Sequence, residues 1–263
     1  MNARTEIPHP VDASDTCPQG MDMAEWQSRV DLAACYRLVA HFGMSDLIYN
    51  HITARIPGTE DILINPYGLM YEEITASSLV KIDLEGRILA NPDPAYGINP
   101  AGYVVHSAVH AARPDVGCVI HTHTRAGMAV SAMRCGLLPL AQTSMRFHRI
   151  TYHDYESVAL DLDERARLAQ DLGQENAMIL RNHGLLAAGP TVAQAFNTLY
   201  WLELACRVQV DACGSGQELS MPPEAVIAKT HHLYQPEARR PYGELEWPAM
   251  LRMLNRRDPG YRQ

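Results

Sequence analysis

No stretch of this 263-residue chain approaches the roughly 18 uninterrupted apolar residues that a bilayer span requires, so no membrane segment is expected. Basic runs are missing as well. The net charge is −8, from 22 Lys and Arg against 30 Asp and Glu, which argues against nucleic acid or an anionic membrane as the main partner. The first residues carry Glu6, Asp12 and Asp15 with Pro8, Pro10 and Pro18, and no apolar signal-peptide core, so the expected location is the cytoplasm. The six cysteines (Cys17, Cys35, Cys118, Cys135, Cys206, Cys213) include no Cys-x-x-Cys pair and read as small, inert core residues. Internal repeats and low-complexity blocks are also lacking.

What remains is an ordinary globular composition, 47% hydrophobic and 20% charged, in a chain long enough for a full core. Residues 1–22 are polar and proline-interrupted and read as a mobile arm. From Asp22 to Phe42 the positions Trp26, Val30, Ala33, Ala34 and Leu38 recur at helical spacing. Short β-rich runs follow at 47–55 and 61–65, then a candidate hairpin of 80–83 and 87–90 around Glu85-Gly86. Asn99-Pro100 opens a helix that Pro114 stops. Strands are expected at 116–122, 178–181 and 185–188, and helices at 126–133, 161–172 and, from the Thr191/Gln194 capping pattern, through Val210. Two short helices are expected near 223–234 and 246–255. The interleaving predicts one α/β domain over 23–214, with an N-terminal arm and a C-terminal helical extension over 215–263.

The chemistry concentrates in histidines. In Val119-Ile120-His121-Thr122-His123 the two imidazoles are two residues apart on a strand and therefore share a face, where they could share one ion. Taken alone, such a pair reads at least as well as two strand histidines. His183 sits at a strand end, followed by a Gly that permits a sharp turn, in the kind of loop where α/β proteins gather their chemistry. Together the three make a His₃ site with an open fourth position, the layout of a catalytic metal centre. His106 and His110, four apart on one helix face, are competing ligands, though packed or surface groups are the commoner outcome for such a pair. His153 and the pair His231-His232 have no evident partner.

The ordered set Asn50-His51-Ile52-Thr53-Ala54-Arg55, Ile64-Asn65-Pro66-Tyr67-Gly68, Thr75–Val80, Asn99–Gly102, His106 with His110–Asp115, His121-Thr122-His123 and Arg181–Leu185 resembles the class II aldolase/adducin family. It covers about 25–210, and Ala101–Met133 is especially similar to the head domain of adducin. The resemblance implies a three-layer α/β/α fold with a mainly antiparallel central sheet, a homotetramer, and an active site between neighbouring subunits. It also implies one divalent ion per subunit on His121, His123 and His183, with zinc the first choice and manganese or iron the others. That ion would act as a Lewis acid stabilising an enediolate. The matched motifs offer Asn50, Tyr67, Gly68 and Arg181 for substrate contact, and Tyr103, His106 and His51 for proton transfer. Arg125 is a further candidate for a substrate carboxylate.

Two departures accompany the resemblance. The sugar-phosphate aldolases carry a Ser-Ser-Glu run where this chain has Pro100-Ala101-Gly102, and a Gly can neither transfer a proton nor hold a cation. Their Gly-Asn phosphate turn is here Asn50-His51, with no Lys or Arg cluster in its place. The expected function is a metal-dependent lyase on a small, unphosphorylated oxo- or hydroxy-acid, by aldol cleavage or decarboxylation. The alternative is an adducin-like, non-catalytic oligomerisation module. A non-haem iron oxygenase is a third, smaller reading, because no 2-His-1-carboxylate set is evident. The C-terminal residues Trp247 and Tyr261 are expected to close over a neighbour's site.

Overall fold

The computed structural model describes residues 13, 16–156 and 164–263. Most of the expected N-terminal arm, and the start of the helix expected from residue 161, lie outside them. Helix α1 (Met23–His41) begins where the Asp22 carboxylate accepts from the Ala24 and Glu25 amides at 2.8 and 3.1 Å. The chain continues through β1 (His51–Arg55), β2 (Ile62–Ile64), β3 (Val80–Ile82), β4 (Ile88–Ala90), α2 (Pro100–Ala112), β5 (Cys118–Thr122), α3 (Arg125–Ser131), α4 (Gln142–Met145) and β6 (Thr151–His153). It ends with α5 (Glu164–Leu172), β7 (Ala177–Leu180), β8 (Gly184–Gly189), α6 (Val192–Gly214), α7 (Glu224–Leu233) and α8 (Glu246–Arg257). The expected elements all fall on observed ones. The sequence reading has no α4 and no β6, because elements of four and three residues are too short to show a period.

The eight strands form one sheet in the order β4-β3-β2-β1-β5-β8-β7-β6. Only β6 and β7 run parallel; the other neighbours are antiparallel. Alternation along the strands feeds two cores. Ile52, Ala54, Cys118, Ile120, Ile179, Leu185 and Ala187 face α1, α3, α6 and α8. Val119, Met178, Leu180, Leu186 and Ala188 face α2 and α5, whose Val105, Val109, Leu168 and Leu172 complete the second core. The result is three layers, helices on both faces of a mostly antiparallel sheet.

The 215–263 segment packs onto its own chain. Trp247 is buried and its indole N–H donates to Asp31 on α1 at 3.0 Å, while Tyr261 is fully buried and its carbonyl accepts from the Ala76 amide at 2.9 Å. Both residues are thus packed against α1 and the 74–77 turn of their own chain. The N-terminal side is tied in similarly, with Ala13 buried in the core and the Trp26 indole donating to Thr16 at 3.2 Å.

One buried hydroxyl joins helix to sheet. Tyr36 on α1 accepts from the Ile52 and Asn65 amides at 3.0 and 3.1 Å, and it faces the Ile52 carbonyl and the Asn65 carboxamide oxygen. Both amides belong to the end of the sheet that carries the histidines. Tyr36→Phe leaves two buried N–H groups without an acceptor and should cost about 1–3 kcal/mol, which a urea unfolding curve would detect as a lowered midpoint with unchanged slope.

Candidate metal centre

His121, His123 and His183 converge. Their Nε2 atoms lie 2.7 Å (121 to 123), 3.0 Å (123 to 183) and 3.3 Å (121 to 183) apart. Ligand nitrogens about 2.1 Å from one tetrahedral ion stand roughly 3.4 Å from each other, so the rings fit an ion after opening by a few tenths of an ångström. Two of the three are also oriented from behind. The Nδ1–H of His121 donates to the Leu185 carbonyl at 2.9 Å, and His123 Nδ1 meets the Asp46 carboxylate at 3.0 Å. Each contact leaves the Nε2 lone pair directed at the common centre, the arrangement expected of metal-ligating histidines. Burial and the neighbouring rings keep His121 well below its ordinary pKa, and the same causes bring His183 down to about 4. Both rings are neutral at neutral pH, the form that binds a cation. No other group of three or more His, Cys, Asp or Glu side chains is so placed among the described residues.

Three local devices build the centre. His121 comes from the end of β5 and His123 from just beyond it. His183 is the last residue of the three-residue loop between β7 and β8, which pair at Leu180 and Gly184. The left-handed residue of that loop is Asn182 (φ 55°), a type that tolerates it, and not the expected Gly184. Gly184 serves a different need: a Cβ there would lie 2.3 Å from the Thr122 carbonyl oxygen, so only glycine lets β8 approach β5 this closely. Asp46 precedes β1, far from any histidine motif, and nothing in the sequence pattern marked it.

The other candidates divide. Asn50 is buried with both carboxamide atoms unbonded, next to His51. Tyr67 and Gly68 lie in the loop that follows β2 at the same end of the sheet, where the Tyr67 amide donates to Gly97. Tyr103 is not brought to the histidines: its hydroxyl donates to the Leu84 carbonyl at 2.8 Å and its ring packs over Gly86. The Arg181 guanidinium donates to the Met133 carbonyl at 3.0 Å and stacks on Tyr152, 4.1 Å from the ring centre, while Arg125 is exposed at the start of α3. His153, partnerless in the sequence reading, sits between Asp171 (2.7 Å) and Glu164 (3.3 Å). A cavity of about 740 Å³ lies at the opposite ends of β7 and β8, against Arg146, His231 and Tyr242, and is separate from this centre.

The Class II Aldolase and Adducin N-terminal domain model matches residues 30–210. This chain belongs to the class II aldolase/adducin family. A Pseudomonas aeruginosa protein named provisionally as a class 2 aldolase is 54% identical over 91% of this chain and 93% of its own length. Rat alpha-adducin is 40% identical over 92% of this chain, which spans only 34% of that longer protein. Among solved structures, an aldolase II superfamily protein from Pseudomonas syringae superposes with TM-score 0.89 at 49% identity, covering 93% of this chain and 98% of its own. L-fuculose 1-phosphate aldolase from Glaciozyma antarctica superposes with TM-score 0.81 at 27% identity, covering 95% and 99%.

Within that family the structure joins the two departures seen in the sequence. A Cβ on Gly102 would lie 2.5 Å from His51 Cδ2 and 2.6 Å from Cγ, so the His51 ring occupies the space a side chain at 102 would need. With the His51 ring in this position, residue 102 has room only for glycine. Behind His51 stands a buried row. His51 Nδ1 is 2.8 Å from His106 Nε2, His106 Nδ1 is 2.7 Å from Thr53 Oγ1, and Thr53 Oγ1 is 2.8 Å from His110 Nε2. His106 and His110 are thus directed away from the three-His centre. Desolvation pushes His51 and His106 well below the ordinary imidazole pKa. It takes His110 to about 3, with the Arg55 cation adding to the effect.

The unfolded His110 ring takes a proton near pH 6.5, whereas the folded ring stays neutral down to about 3. The unfolded state therefore binds more protons across that window, and stability falls as pH drops through it, by up to about 1.4 kcal/mol per pH unit for one such ring. In chelator-treated protein, His110→Gln should flatten the pH dependence of unfolding free energy below about pH 6.5 by roughly 1 kcal/mol per unit. Parallel curves for the two proteins would mean that the buried ring protonates freely in the folded state.

Proposed function

We propose that this chain is a divalent-metal-dependent lyase acting on a small, unphosphorylated hydroxy- or oxo-acid, by aldol-type cleavage or decarboxylation. The observation that carries the reading is the convergence of three imidazole Nε2 atoms within 3.3 Å of one another, backed by Asp46 and Leu185. His121, His123 and His183 would hold one ion per subunit, with zinc ahead of manganese or iron. When bound, the ion supplies Lewis-acid polarisation of substrate oxygens.

The chain's own residues supply the rest. Asn50 offers a buried donor and acceptor with no protein partner, an expensive arrangement unless a bound molecule's polar group satisfies it. His51, whose ring centre is 5.2 Å from that of His121, is the best-placed group for proton transfer now that position 102 lacks a side chain. The Asn50-His51 turn offers no cation for a phosphate, which supports an unphosphorylated substrate. We place the enzyme in the cytoplasm as a homotetramer, with Tyr67 and Gly68 on the substrate side.

The adducin-like, non-catalytic reading keeps one observation in its favour, the 40% identity to alpha-adducin across nearly the whole chain. Metal content separates the two. Protein purified without a His tag should carry about one divalent ion per subunit, and His121→Ala and His183→Ala should each lower that content at least tenfold. A metal-free wild type that stays empty after reconstitution would sink the lyase reading and favour the scaffold.

A further inference from the structure

At the end of β8 opposite His183, one cation stands with few conventional partners. Arg146, the residue that ends α4, lines the 740 Å³ cavity. Its guanidinium carbon lies 4.7 Å from the ring centre of Tyr234, 5.0 Å from Tyr242, 5.4 Å from Trp201 and 5.7 Å from Phe147. Those rings displace water, and burial brings the group down to about 10, so it is still a cation at neutral pH. Cation–π attraction steadies the charge, but a ring is a weak acceptor for N–H groups.

Among the described residues, the guanidinium makes one hydrogen bond, from Nη2 to the Asn197 carboxamide oxygen at 3.3 Å. A guanidinium has five N–H groups, so four are left over. None of its nitrogens is among the described buried atoms without a partner, so the spare N–H groups reach open space and not packed protein. No described carboxylate forms an ion pair with it. Glu246 attracts it from a distance, yet that carboxylate is taken by Arg240 at 2.7 Å and by the Gly243 amide at 2.9 Å. Arg240 makes the contrast plain: it too lies over Tyr242, at 4.9 Å, and it has its acid.

The space in front of these N–H groups has the size of a small-molecule site, for which roughly 300–1,000 Å³ is usual. Arg149 adds a second cation to the lining, and Gln174, Gln194 and Gln235 add carboxamides. Gln194 lies in the first turn of α6, where the helix dipole favours negative charge. Two acids also line the cavity, but Glu237 is exposed and Glu175 interacts with Arg113. The His231 Nδ1–H donates to the Arg146 carbonyl at 2.9 Å, which ties α7 to the residue that carries the charge.

We propose that this cavity binds a small organic anion, whose carboxylate or phosphate group pairs with Arg146 beside Tyr234 and Tyr242. The planar guanidinium, with N–H groups to spare, matches two oxygens of either group, and the aromatic walls give an organic remainder apolar surface. Asn197, 5% exposed, bears on the same point. An aspartate there would complete an internal ion pair, whereas the asparagine leaves the charge for a guest. The six residues of β8 separate this cavity from the three-His centre, and the proposal does not depend on what that centre does.

Isothermal titration calorimetry of the full chain with inorganic phosphate, citrate and adenosine monophosphate tests the site. Citrate or the nucleotide should bind once per subunit with Kd below about 1 mM, and inorganic phosphate more weakly. Citrate ahead of the nucleotide assigns a carboxylate, and the reverse order a phosphate. Asn197→Asp is nearly isosteric and supplies the missing partner, so it should raise the Tm and weaken the anion by at least about tenfold. Arg146→Gln should weaken it as much, while His121→Ala should leave it unchanged. Full-strength binding in Asn197→Asp or Arg146→Gln would overturn the proposal. So would the absence of saturable binding to the wild type, or binding lost in His121→Ala, which would place the anion at the three-His centre.

Discussion

The pairing of β1 with β5 is the constraint on which the rest of the site depends. His51 lies opposite His121 and Thr53 opposite Val119, all four on the face that α2 covers. Because the side-chain period of a strand is two, slipping this register by one residue would send His51 and Thr53 into the α1 core and bring Ile52 to the centre. α2 then meets β1 with matched steps. Two residues of strand rise about 6.6 Å and four residues of helix about 6 Å, so His106 and His110 fall beside His51 and Thr53 without distortion. The row of hydrogen bonds follows from two periodicities nearly coinciding.

Charge is managed by exclusion. Six histidines (His51, His106, His110, His121, His123 and His183) stand close together at or behind one end of the sheet, an arrangement that would repel itself strongly if the rings were protonated. Burial removes that possibility for His51, His106, His110 and His121, whose proton affinities all fall. The rings are held in place by a few fixed oxygens: the carbonyl of Leu185, the carboxylate of Asp46 and the hydroxyl of Thr53. A buried unpaired polar group is costly, so these oxygens orient the rings more firmly than packing alone would.

The relation between Gly102 and His51 shows how a family site can be rebuilt without moving its scaffold. A side chain at 102 and an imidazole at 51 compete for the same few cubic ångströms beside the centre. Losing the first makes room for the second, and the second brings its own hydrogen-bonded support from α2. The three-His cluster is built separately, from the end of β5, the residue just beyond it and the β7–β8 loop.

The sequence by itself determined the elements and the three histidines that cluster. Helix and strand periods are local properties, and His121-Thr122-His123 with His183 carried enough motif to be read without contacts. Tertiary structure alone decided the partners. Asp46 contacts His123 from 77 residues away, His106 and His110 join a hydrogen-bonded row behind His51, Tyr103 bonds to Leu84, and Trp247 and Tyr261 pack onto their own chain. Each of these is fixed by register and by which layer covers which face, and a hydrogen bond between residues distant in sequence leaves no periodic trace along the chain.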